Sequence, residues 1–122
     1  MINMQKLAKR EEQIMQALWQ LKKAFVKEVI EILPEPKPHY NTVSTIIRIL
    51  EDKKFIAHKS FGKTYQYYPL VSKETYQKSA VGDIIKNYFD NSYQKMVTYF
   101  AAEEKINEDE LEEIIKMIQN KK

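Results

Sequence analysis

YNTVSTIIRILEDKK, from Tyr40 to Lys54, runs directly into FIAHKSFGKTYQYYPL, from Phe55 to Leu70, and these two stretches decide the fold. In the first, Val43, Ile46, Ile47 and Leu50 fall at i, i+3, i+4 and i+7, the spacing of a helix with one narrow buried stripe. The remaining positions, Asn41, Thr42, Ser44, Thr45 and Arg48, are polar and mostly short. An ordinary solvent-facing helix favours Glu, Lys and Gln there, because Asn, Ser and Thr are mediocre helix formers. In the second stretch, β-branched and aromatic residues flank a turn at Phe61-Gly62-Lys63, which predicts a hairpin closed by Pro69.

Upstream, Lys9–Leu21 reads as a helix with Ile14, Leu18 and Leu21 in its stripe, although Ala8 stands where a capping side chain is expected. Phe25–Leu33 reads as a second, shorter helix that stops at PEPKP (residues 34–38). Three helices followed by a two-stranded hairpin is the outline of a winged helix-turn-helix, whose third helix enters the major groove while the hairpin forms a wing. Short side chains let such a helix approach base edges, and Asn and Arg pair with adenine and guanine edges. Asn41, Thr42, Ser44, Thr45 and Arg48 are therefore the candidate reading residues. Among the lysines near the hairpin (Lys53, Lys54, Lys59 and Lys63), Lys59 and Lys63 are the candidate phosphate contacts. Tyr65, Tyr67 and Tyr68 read as hairpin packing, because duplex readers seldom stack bases.

Downstream, Tyr76, Ala80, Ile84 and Tyr88 lie on one helical stripe, and Asp90-Asn91-Ser92 breaks it. Tyr93, Met96, Val97 and Phe100 form a second stripe. Asn107 and Glu110 are spaced as a capping box before Leu111, Ile114, Ile115 and Ile118. The expected fold is thus mainly α, with a winged helix-turn-helix over residues 1–72 and three helices over residues 73–122. About 50 residues make a poor independent core. The last two stripes are accordingly expected to bury each other's copies in a homodimer.

Composition narrows the function. The chain has 122 residues, 43% hydrophobic and 30% charged, which suits a soluble globular protein. The absence of cysteine removes thiolate metal sites and cysteine nucleophiles, and two glycines cannot build a phosphate-cradling loop. His39 and His58 are the only histidines, too few for a metal site without thiolates, and no catalytic constellation can be assembled. No enzyme, cofactor or metal is expected. Without a secretory h-region or a membrane span, the expected location is the cytoplasm. The formal charge of +3 divides into +6 over residues 1–73 and −3 over residues 74–122. A basic half attracts phosphate backbone and an acidic half is repelled by it. The rival reading is a winged-helix adaptor that docks a protein, since fold alone does not fix function.

Four stretches carry a resemblance: KREEQIMQALWQL (Lys9–Leu21), NTVSTIIRILEDK (Asn41–Lys53), FGKTYQYYPLVSKETY (Phe61–Tyr76) and VTYFAAEEKINEDELEEI (Val97–Ile114). Together they resemble the BlaI/MecI/CopY family of bacterial penicillinase repressors. The resemblance implies a dimeric repressor on a dyad-symmetric operator, with β-lactamase or penicillin-resistance genes as typical targets. It also implies release through a membrane metalloprotease sensor system, by cleavage in the dimerisation region. The matching bond here is Tyr99–Phe100, and Thr42, Thr45 and Arg48 match the family's reading helix. Three departures stand out: Tyr99 replaces the usual Asn, Ile49 replaces a frequent second Arg, and the cysteines of the copper-responsive branch are absent.

Overall fold

A computed structural model describes residues 6–120, with side chains as far as Lys116. The order is α1 (Lys9–Leu21), α2 (Val26–Ile32), α3 (Tyr40–Asp52), β1 (Ile56–Phe61), β2 (Thr64–Pro69), α4 (Lys73–Tyr88), α5 (Tyr93–Ala102) and α6 (Glu108–Asn120). The expected winged helix followed by three helices is therefore the observed architecture. The first compact unit runs through Ser79 and the second begins at Ala80, inside α4. The boundary expected after residue 72 falls just before α4 begins at Lys73, upstream of that division.

Neither α1 nor α2 begins with a capping hydroxyl or amide. Each instead uses the glutamate of its first turn: the Ala8 N–H donates to Glu11 Oε1 and the Phe25 N–H donates to Glu28 Oε1, both at 2.8 Å. At the other end of α2, the Lys37 ammonium donates to the carbonyls of Ile30, Glu31 and Leu33 at 3.1, 2.8 and 2.8 Å. A cation on the last carbonyls satisfies acceptors that a glycine cap would otherwise serve. It also fixes the proline turn that leads into α3.

Ile14, Met15 and Leu18 of α1 are fully buried with Val29 of α2 and with Val43, Ile47 and Leu50 of α3. Phe55, Ile56 and Tyr67 extend this core under the hairpin. The strands pair antiparallel, with His58 opposite Tyr67 and Ser60 opposite Tyr65. Gly62 opens the two-residue turn at φ 62°, a left-handed conformation that a side chain would strain. Tyr76 ties the start of α4 to α1: its hydroxyl accepts from the Leu7 N–H and donates to Glu12, each at 3.1 Å.

One ion pair in this core has a measurable weight. Glu11 Oε2 meets Lys53 Nζ at 2.8 Å with only 10% of the glutamate side chain exposed. Burial pushes the Glu11 carboxyl up, but the Lys53 hydrogen bond, the Ala8 N–H and the Lys53 charge outweigh it, leaving it below the ordinary 4.5. A depressed carboxylate contributes stability above its unfolded value and loses it as the pH falls through the folded one. Glu11→Gln is expected to destabilise the protein by about 1–3 kcal/mol at pH 7. In urea unfolding, its deficit against the wild type should shrink as the pH falls below 4.5.

In the second unit, Ser92 caps α5 by accepting from the Lys95 N–H at 3.1 Å. The Asn107/Glu110 capping box forms reciprocally at 2.8 and 3.0 Å. Ile85 is fully buried, and Phe89, Tyr99 and Phe100 cluster with ring centroids 5.3–6.5 Å apart.

Candidate nucleic-acid interface

Burial of Val43, Ile47 and Leu50 orients α3 and turns Asn41, Thr45 and Arg48 outward, all exposed. Thr42 is exposed on one flank of that stripe and Ser44 is half-buried on the other. The Thr45 hydroxyl donates to the Asn41 carbonyl at 2.8 Å, which leaves its methyl and a lone pair to face outward. A methyl and an acceptor are what a thymine methyl and an exocyclic amine can meet.

Tyr40, Ser44 and Arg48, one helical turn apart, form one wall of a groove of about 710 Å³. Tyr65 and Tyr67 of β2 face them, Lys63 and Thr64 stand at the wing tip, and Phe25, Val26, Lys27 and Glu28 close the α2 side. The groove thus gathers three cations, Lys27, Arg48 and Lys63, against the single carboxylate of Glu28. Burial pushes the Tyr67 phenol above its ordinary value; the Glu51 carboxylate adds to this and Arg48 opposes it. Tyr67 is consequently a neutral hydroxyl at physiological pH.

Of the residues singled out in the sequence, Ser44, Arg48 and Lys63 share this groove, while Asn41, Thr42 and Thr45 lie on the exposed face beside it. Lys59 stands apart, its ammonium 5.6 Å from the centroid of the Phe61 ring. Lys53 is held by Glu11 rather than free at the hairpin. Among the tyrosines, Tyr67 is the packed one, whereas Tyr65 is 47% exposed along the groove. Lys27 and Tyr40 escape the sequence reading, which takes Tyr65 for hairpin packing alone. The spacing of Tyr40, Ser44 and Arg48 at i, i+4 and i+8 is the signal that could have found the first wall.

No group of three or more His, Asp or Glu side chains among the described residues is placed to hold a metal. His39 is the exposed residue that precedes α3, and His58 Nδ1 meets Glu51 Oε2 at 2.5 Å. No helix of the described residues is long and apolar enough to cross a membrane.

Comparison with known proteins supports the architecture and identifies the lineage. The methicillin resistance regulatory protein MecI of Staphylococcus aureus (strain N315) is 29% identical over 117 residues, covering 95% of this chain and 94% of the relative. MecI of Mammaliicoccus sciuri is 28% identical over the same coverage. A solved structure of Bordetella bronchiseptica BpsR, described for the regulation of its DNA binding by 6-hydroxynicotinic acid, matches with a TM-score of 0.50. It covers 97% of this chain and 76% of that one at 15% identity, a likeness of fold. The family model described as penicillinase repressor matches residues 7–120. The chain therefore belongs to the penicillinase repressor family, whose members are DNA-binding transcriptional repressors.

Proposed function

We propose that the protein represses transcription as a homodimer on a dyad-symmetric operator, within a β-lactamase or penicillin-resistance type of regulon or a related one. The observation that carries this reading is the exposed face of α3, where Asn41, Thr45 and Arg48 adjoin a groove bearing Lys27 and Lys63. Bases are read by the helix and phosphates are held by the cations around it. The MecI relatives are named as methicillin resistance regulators, which favours resistance genes as the target class.

The second unit supports the homodimer. Tyr93 is 62% exposed, Ile115 51% and Ile114 41%, and no residue of α5 is buried. Val97 and Phe100 are also exposed, while Met96 and Leu111 are half-buried. Ile118, assigned to the same seam, lies outside the described side chains. Apolar surface of this extent on a small helical unit fits a second copy of itself, at roughly 25 cal/mol per Å² buried.

Derepression by cleavage of Tyr99–Phe100 belongs to the same proposal. Both side chains are exposed on α5, and the bond becomes accessible to a protease when the helix frays locally. A membrane metalloprotease sensor system would then act on a repressor that itself works in the cytoplasm, beside the DNA.

Salt titration of duplex binding separates this function from that of a protein-docking adaptor. Each phosphate neutralised contributes about −0.9 to the slope of log affinity against log salt. A dimer engaging its cations on both half-sites should give a slope steeper than about −4. Binding that is absent at moderate salt, or insensitive to it, would favour the adaptor.

A further inference from the structure

The wing is a two-stranded hairpin, a unit that is marginal in water unless something holds it. Backbone hydrogen bonds of 2.9 and 2.8 Å between Ala24 and Tyr67 tie it to the connection between α1 and α2. The Phe61 ring meets the Phe25 ring edge-on at 5.9 Å. Neither contact reaches α3. Among the described residues, one side-chain hydrogen bond joins the hairpin to α3: His58 on β1 to Glu51 on the last turn.

We propose that His58 is a positioning residue for DNA reading, which sets the wing against α3 through Glu51 and makes operator affinity depend on pH. The inference rests on the repressor reading above and concerns the regulation of that same interface.

The imidazole is itself held in place. It lies over the Tyr65 ring at 4.3 Å with a 33° tilt and meets the Tyr67 ring edge-on at 5.7 Å. Glu51 follows Arg48 by three residues, so the pair sits where the Arg48 wall of the groove ends. The titratable groups that meet it are Glu51 from α3, and Tyr65 and Tyr67 from β2. Lys59, next on β1, alternates to the opposite face of the hairpin.

Protonation changes this contact in two ways that act together. It converts a hydrogen bond into an ion pair, which fixes the separation between Arg48 and the wing residues Lys63 and Tyr65. It also cancels the Glu51 carboxylate, which otherwise stands beside a groove meant for phosphate. Both effects favour the DNA-bound state when imidazole is charged, and histidine is the side chain that changes charge between about pH 5 and 8. Affinity should therefore rise as the pH falls.

Two titrations of the full-length protein test this, one on duplex DNA selected by the wild type and one on the free protein by NMR. The wild type is expected to gain about three- to tenfold in affinity from pH 8 to pH 6, within the tenfold per pH unit that each proton taken up allows. His58→Gln and Glu51→Gln should each flatten the profile, and the double variant should match either single one. In the free wild type, the amides of Ser60–Tyr67 and those of the last turn of α3 should shift together with the His58 imidazole. In Glu51→Gln, the α3 shifts should disappear. If Glu51→Gln kept the wild-type pH profile, His58 would be acting directly on phosphate and the positioning role would fall. A wild type that bound no duplex would remove the repressor reading and this inference with it, a result distinct from duplex binding with an unchanged Glu51→Gln profile.

Discussion

Ile115→Glu is expected to turn the proposed dimer into monomers and to lower operator affinity by two to four orders of magnitude. Half of the Ile115 surface is exposed in the single chain, so a carboxylate there is solvated in the monomer and changes its stability by less than about 0.5 kcal/mol. In a dimer, the same carboxylate would be buried against apolar partners without a cation, which is unfavourable by several times that amount. The association equilibrium therefore shifts while the winged helix stays folded. Two linked half-sites gain about 10²–10⁴ in avidity over one, and the monomer forfeits that factor. Sedimentation and operator titration of the same sample, with circular dichroism as the folding control, measure both sides of the link. A folded monomer that kept full operator affinity would refute it. The proposed cleavage at Tyr99–Phe100 would work by the same logic, since it would divide α5, which carries Tyr93, Met96 and Val97 of the proposed seam, without touching α3.

Much of this organisation is legible in the sequence because it depends on local pattern. The stripe Val43, Ile47 and Leu50 fixes which face of α3 is buried, and Gly62 fixes where the hairpin turns. The Asn107/Glu110 capping box is readable from spacing alone. What the sequence conceals is long-range pairing. Nothing local marks Lys53 as the partner of Glu11, 42 residues away, and so it reads as one more basic residue by the hairpin. The caps of α1 and α2 come from glutamates three residues inside each helix, whereas the expected sign is a hydroxyl at the preceding residue. The groove is a product of tertiary structure: Lys27, Tyr40 and Tyr65 come from three elements and meet only when the wing folds beside α3. The pairing of His58 with Glu51 depends on the same approach of strand to helix.

If α3 reads sequence while the wing and its surroundings hold the backbone, two alanine substitutions separate the roles. Arg48 projects from the exposed stripe of α3 beside Asn41 and Thr45, and its fork can pair with a guanine edge. Arg48→Ala should lower affinity for the selected operator by about 1–3 kcal/mol for each base edge that the guanidinium reads, with a smaller effect on random duplex. Lys63, at the wing tip, presents a point charge suited to phosphate. Lys63→Ala should weaken operator and random duplex about equally and reduce the salt slope by about one for each subunit. The deciding measurement is the ratio of operator to random-duplex affinity for the wild type and both variants, across a salt series. A ratio that collapses in Arg48→Ala and stays constant in Lys63→Ala is the predicted result, whereas a ratio unchanged in both would contradict the assignment of α3 as the reading helix.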